Sequence, residues 1–159
     1  MAAEEKITVK KDKNAKKDFI QAVGRRREAI ARVRYYANPK ADVLWGERKI
    51  VKGEIIVNGK LISEYFSGDV AKKKYEEPLR VVNLLDKGII TVIVAGGGTN
   101  GQLEATIHGI ARVMTKHDTA EHRVPLKKKG FLVRDPRARQ RRKVGMGGKS
   151  RRKKQSPKR

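Results

Sequence analysis

Two stretches of this sequence are built like phosphate-binding chemistry. Gly96, Gly98 and Gly101 form a G-x-G-x-x-G run, with Glu121 20 residues beyond the last glycine. After a strand and before a helix, such a run presents backbone N–H groups to a pyrophosphate, and the later acid takes a ribose hydroxyl. Gly147-Gly148-Lys149-Ser150 has the ending of a P-loop. Both fail as nucleotide sites. A dinucleotide fold needs a second parallel strand after the helix, yet His117 to Lys129 is polar and basic. The P-loop needs a glycine six positions before its lysine, and Lys143 does not stand there as glycine would. A milder reading of the first run survives, in which it is a tight strand-to-helix turn able to hold an RNA phosphate. The second is a hinge between the basic clusters Arg137–Lys143 and Arg151–Lys154. His108, His117 and His122 have no companion Cys or carboxylate set for a metal and are expected at the surface or facing RNA. No nucleophile-base arrangement or carboxylate pair is present, so no catalytic centre is expected.

Arginine offers the remaining chemistry. Arg25-Arg26-Arg27 is continued by Arg32 and Arg34 in alternation with apolar residues, a spacing that lines one face of a strand and suits phosphate contact. The bland alternative is a solvated sheet edge. The whole chain supports the first. It has 159 residues, 40 Lys and Arg against 17 Asp and Glu, a net charge of +23 and a pI near 10.6. Solubility asks for a net charge of only about 2–8, so the excess implies a polyanionic partner. No run approaches the roughly 20 apolar residues of a membrane-spanning helix. Residues 1–18, with six Lys and four acids, lack the apolar core of a signal peptide. There is no Cys, which excludes disulfides and thiolate metal sites. These features predict a cytoplasmic protein.

The charge divides the chain into three parts. Residues 1–18 read as a flexible lysine-rich N-terminal extension. Residues 19–122 carry a net +7 with those before them, and hold the apolar residues of an RNA-binding α/β domain. From Arg123 to Arg159 there are 17 Lys and Arg and one acid, Asp135, which predicts an extended basic tail with too few apolar side chains for a core.

Within the domain, a strand is expected from about Glu28 to Tyr36 after a turn at Gly24, with Val23, Ile30, Val33 and Tyr35 inward. Asn58-Gly59 is a hairpin signal after a short strand at Glu54–Val57. Leu61, Ile62, Tyr65 and Phe66 predict a short helix, and Pro78 can begin another. Ile89–Ala95 reads as a buried strand. Leu103, Ile107, Ile110 and Met114 share one face of a helix over Gln102–Lys116. This order suggests a two-layer α/β sandwich.

Four blocks in order make the chain similar to a known family. Ala22-Val23-Gly24-Arg25-Arg26-Arg27-Glu28-Ala29-Ile30-Ala31-Arg32-Val33, Val57-Asn58-Gly59-Lys60 with Glu64-Tyr65-Phe66, Gly96-Gly97-Gly98 through Gly101-Gln102 with Gly109-Ile110-Ala111-Arg112, and Arg134-Asp135 with Arg137 resemble the small-subunit ribosomal protein nine family. So does the ending Ser156-Pro157-Lys158-Arg159, which looks bacterial. The resemblance implies the sandwich of the ribosomal protein five domain-two-like type, a structural rather than enzymatic role, and no cofactor. It implies binding to rRNA in the small-subunit head, next to other head proteins, and a tail whose end meets P-site tRNA. Lys158 and Arg159 would grip tRNA phosphates, with Gln155 and Ser156 beside them.

The implied rRNA contacts are Arg25, Arg26, Arg27, Arg32 and Arg34 in the first strands, and Gly97, Gly98, Gln102 and Arg112 around the glycine loop. Along the tail they are Lys127, Lys128, Lys129, Arg134, Arg137, Arg139, Arg141, Arg142, Lys143, Lys149, Arg151, Arg152, Lys153 and Lys154. Residues 1–18, a Pro39–Lys52 insertion and Pro157 depart from the family pattern. A free-standing basic RNA- or DNA-binding protein is the alternative reading, and a nucleotide-binding enzyme is a more remote one.

Overall fold

The structure, a computed structural model, describes residues 19–38, 43–45 and 48–141. Alternation decides the first hairpin. Strand β1 (Ile20–Arg26) and β2 (Ala29–Tyr36) pair antiparallel across a two-residue turn, Arg27-Glu28. Arg27 takes φ 52° there, the left-handed region that tight hairpin turns require of a central residue. The turn is thus at Arg27, and Gly24 lies inside a strand. Ala22, Gly24, Arg26, Ala29, Ala31, Val33 and Tyr35 face inward, and all are buried. Ile30, an expected inward residue, is 40% exposed. With a period of two it cannot share a face with Val33 and Tyr35. Val23, opposite Arg32, also belongs to the outer face.

Two short strands, β3 (Leu44–Trp45) and β4 (Arg48–Lys49), form a separate ribbon. Then β5 (Ile55–Val57) and β6 (Lys60–Leu61) make the hairpin signalled by Asn58-Gly59, with φ 49° and 87°. The Asn58 side chain continues the sheet, because its Nδ2 donates to Val94 O (3.0 Å) and its Oδ1 accepts from Val94 N (2.9 Å). Helix α1 (Ile62–Tyr65) follows, then α2 (Asp69–Val81). Pro78 does not start α2. It sits inside it, buried with Tyr75, Leu79 and Val82 along one stripe, so the polar run before it is helical too.

Strand β7 (Ile89–Ala95) enters the sheet between β2 and β5, antiparallel to the first and parallel to the second. Helix α3 (Thr99–His117) starts three residues earlier than expected, so Gly101 is helical. Helix α4 (Thr119–Lys128) begins at Asp118, whose side chain caps Ala120 N and Glu121 N. The expected tail therefore starts inside a helix. Leu126 is fully buried and His122 nearly so, its Nδ1 3.0 Å from Met114 O. That corrects the expectation of a surface histidine.

The helices contribute Ile62, Tyr75, Leu79, Ile110, Met114 and Leu126 to a single core over one face of the five-stranded sheet, giving two layers. The opposite face is half covered. Ile50, with Val43 and Trp45 from the β3–β4 excursion, packs on Ile56, Ile89, Tyr36 and Leu61. Arg32 and Arg34, on β2, are exposed.

Helix α3 lies directly on β1. A Cβ on Gly24 would overlap Ala105 O and Gly109 N, and one on Gly109 would overlap the Val33 side chain. At this separation α3 side chains reach the free edge of β1. Lys116 Nζ donates to Gln21 O (2.9 Å), Arg112 donates to Val23 O, and His108 Nδ1 accepts from Arg25 N (3.3 Å). Spaced four apart, the three form a row that satisfies successive outward backbone groups. Burial, then Arg112, holds His108 below its usual pKa, with Arg134 adding to the effect, and the ring also engages the Leu132 backbone.

Two outcomes follow from this packing. Gly24→Ala should cost about 2–3 kcal/mol or more through overpacking and lower Tm in a melting curve, whereas Gly98→Ala, with open space around it, should change stability by under about 0.5 kcal/mol. A lowered histidine pKa means the unfolded chain takes the proton first as pH falls. His108 should hence contribute its full stabilisation above about pH 6.5 and lose it below. Thermal melts from pH 7.5 to 5 should show a fall in Tm that His108→Gln reduces; equal falls in both proteins would refute this.

Candidate nucleic-acid interface

The arginines expected to act together are sorted by the strand period into separate roles. Arg25, Arg32 and Arg34 project from the sheet face opposite the helices, since Arg32 pairs with Val23 and Arg25 with Ile30 in register. All three are exposed. The Arg34 guanidinium lies over the Phe19 ring at 4.8 Å, and Phe19 meets Tyr36 at 5.5 Å, so its orientation is fixed while its charge stays available. Arg27, at the hairpin turn, is exposed as well. Among the described residues no carboxylate pairs with any of these four.

Arg26 is the exception in its own triplet. It faces inward, is 6% exposed, and its guanidinium is held by Glu104, by Asp135 (3.0 Å) and by the Arg137 carbonyl (2.7 Å). A guanidinium so enclosed is not a phosphate ligand, which corrects the role expected of it. Arg112 is exposed, but its guanidinium is engaged at Val23 O.

The hairpin turn brings Arg26 and Arg27 to the glycine loop. Gly96 and Gly97 take φ 74° and 67°, a reversal that β-carbons would strain. Gly98 is the extended residue before α3, and no side chain caps the helix there. A cleft of about 580 Å³ lies over this terminus, walled by Arg27, Glu28, Gly97, Gly98, Asn100 and Arg139. Gly97 and Gly98 are exposed, and the first-turn N–H groups of α3 are of the kind that favours anions. Gln102 is turned elsewhere: it donates to Gly96 O (3.1 Å) and accepts from Tyr65 Oη (2.9 Å). It shapes the loop instead of presenting itself to a ligand. After α3 the chain enters α4, so among the described residues no parallel strand follows and the dinucleotide reading has no fold to sit on.

Lys127 and Lys128 are exposed in the last turn of α4, where cations also suit the helix dipole. Lys129 pairs with Glu77 at 3.0 Å. Arg134, Arg139 and Arg141 are exposed, while Arg137 is bound to Asp135 at 2.6 Å. Arg142, Lys143, Lys149, Arg151, Arg152, Lys153, Lys154, Gln155, Ser156, Lys158 and Arg159 lie outside the described residues. Sequence reasoning missed Lys74, which α2 brings to the same side as Arg27 and Asn100; a lysine in a polar run carries no signal of its facing. It also missed Glu104 and Asp135, although a single acid in a long basic stretch was a visible sign. Among the described residues no group of three or more His, Cys, Asp or Glu stands together as a metal site, and no helix is long and apolar enough to cross a membrane.

The family model for ribosomal protein S9/S16 matches residues 24–159. Two curated relatives, each named small ribosomal subunit protein uS9, come from Anaeromyxobacter sp. (strain K) and Anaeromyxobacter dehalogenans (strain 2CP-1 / ATCC BAA-258). Each is 40% identical to this chain over 126 residues, covering 79% of this chain and 86% of the relative. The match begins at Gly24, beside the helix–strand contact, and includes the arginine hairpin, the glycine loop and the whole basic C-terminal stretch. The chain therefore belongs to the ribosomal protein S9/S16 family, whose members are structural, non-enzymatic proteins.

Proposed function

We propose that this chain is a structural constituent of the small ribosomal subunit, in the bacterial-type cytoplasmic ribosome. Its body binds rRNA in the subunit head beside neighbouring head proteins, and its C-terminal segment reaches the P-site tRNA. The observation that carries this reading is the placement of charge. Arg25, Arg27, Arg32 and Arg34 are exposed without acidic partners among the described residues, and residues 123–159, which begin within α4, carry a net +16. Such charge is neutral only against a polyanion, and counterion release from phosphates then supplies much of the affinity.

The body would fix position and the segment would add reach. Arg32 and Arg34 stand two residues apart on one face, about 7 Å along the strand, close to the phosphate spacing of a nucleic-acid backbone. The cleft over the glycine loop would take a further phosphate between Arg27, Arg139 and the α3 N-terminus. Contacts of this kind read backbone shape and not base sequence. The same holds for Lys158 and Arg159 at the tRNA, where every tRNA must be accepted. The ribosomal protein five domain-two-like fold type agrees with two layers and a mixed sheet. Residues 1–18, expected to be an N-terminal extension, lie outside the described residues.

High-salt fractionation of ribosomes from the source cell, followed by mass spectrometry, should find the chain at one copy per small subunit. Its absence there, with the protein free or on DNA, would favour the free-standing basic nucleic-acid-binding alternative. Deleting Lys158 and Arg159 should weaken P-site tRNA binding by about tenfold, the loss of roughly 1.4 kcal/mol, and leave subunit assembly intact. For the isolated protein on head rRNA, Arg32→Gln should reduce the log–log salt slope by about 0.7–0.9. An unchanged slope would remove Arg32 from the phosphate contacts.

A further inference from the structure

Asp135 is the one acid among the 37 residues from Arg123 to Arg159. A lone carboxylate in a segment suited to polyanions works against its own surroundings, unless it has a partner within the protein. It has one. Arg26, at the end of β1, is buried, and its guanidinium is enclosed by Glu104 of α3, Asp135 Oδ2 at 3.0 Å and the Arg137 carbonyl oxygen at 2.7 Å. Asp135 accepts in turn from Arg137 N (2.9 Å) and from the Arg137 side chain through Nε (2.9 Å) and Nη2 (2.6 Å). Two cations and two anions thus neutralise one another in a protein of net +23.

The pieces come from three places: a strand end, a helix and the start of the basic segment. A buried guanidinium needs its acceptors, and two of the three belong to residues 135 and 137. The segment just before them is attached as well. Gly130, at φ 78°, ends α4, and Phe131 and Leu132 pack against the core. Phe131 N donates to Leu126 O (3.1 Å), and the His108 ring engages the Leu132 backbone.

We infer that Arg26, Glu104 and Asp135 form an anchor that fixes the direction in which the basic segment leaves the body. Arg26 is then a positioning residue: it meets no phosphate, and it determines where the segment begins. The 22 residues after Arg137 can span at most roughly 75 Å at full extension. A root of fixed direction points that reach at one region of a large partner, which raises the effective concentration of the segment there. The consequence for tRNA rests on the proposed function above; the anchor itself does not.

The chain has no Cys, so two introduced cysteines report alone. Lys72→Cys on α2 and Gln140→Cys, both at exposed positions, would carry spin labels on the full-length protein for a pulsed electron-resonance distance measurement. The expected result is a narrow distance distribution in the parent that broadens at least twofold in Asp135→Asn and in Arg26→Met, with circular dichroism showing a folded body. A parent distribution as broad as the variants', or variants as narrow as the parent, would overturn the anchor. Should Arg26→Met fail to fold, Asp135→Asn decides, because it leaves the Arg26–Glu104 pair in place. Small subunits carrying Asp135→Asn should incorporate normally and bind P-site tRNA about three- to tenfold more weakly. Unchanged tRNA affinity together with a broadened distribution would leave the anchor standing and sink the reading in which this segment serves the tRNA.

Discussion

Helix α3 and strand β1 meet backbone to backbone, where Gly109 of α3 lies on Gly24 of β1. A helix normally stands off from a sheet by the width of the side chains between them. Removing two β-carbons lets this one settle closer, and several other features depend on that distance. His108, Arg112 and Lys116 reach the outer edge of β1 only because the helix is so near. Glu104, one turn before, meets Arg26 for the same reason. The glycine loop must turn sharply to deliver the helix to this position, which accounts for the two left-handed glycines at its start. Sheet edge, buried arginine and loop are three results of one contact.

Arginines close in sequence have different fates on this sheet. The chain places Arg25, Arg26 and Arg27 side by side, and the strand period sends Arg25 outward and Arg26 inward while the turn exposes Arg27. The inward one is tolerated because Glu104 and Asp135 arrive to pair with it. The outward ones keep their charge. A stripe of basic residues in a sequence is therefore a mixture of roles, and the β-sheet register is what separates them.

Much of this fold is legible in the sequence. The Asn58-Gly59 hairpin, the buried Ile89–Ala95 strand and the α3 stripe each have a strong local signature, and each forms as expected. The family resemblance on four ordered blocks agrees with the match over residues 24–159. What could not be read depends on tertiary position. Gly24 looked like a turn because glycine favours turns, yet its role is to admit a helix. Pro78 looked like a helix start because proline favours one, yet buried packing holds it inside α2. His122 and Leu126 sat in a polar, basic run whose two apolar-facing positions gave too little periodicity to announce α4. Arg26 and Gln102 were expected at the partner, and both are engaged within the protein instead. Arg26 finds its acceptors 78 to 111 residues away, and Gln102, besides the nearby Gly96 O, meets Tyr65 37 residues away, contacts that their neighbourhoods in sequence do not announce.

The separation of 111 residues between Arg26 and the Arg137 carbonyl has a bearing on how the chain comes together. Contacts this distant in sequence close a long loop, and they form only after nearer ones have reduced the entropy of closure. The β1–β2 hairpin can form early, from local pairing alone. Arg26, the last inward residue of β1, then carries a charge whose full set of acceptors does not exist until nearly the whole body has been synthesised. Final packing at the end of β1 must wait for the chain beyond α4 to return. Completion of the domain and docking of the first residues of the basic segment are thereby one cooperative step, so that a body finished at this corner already has its extension in place.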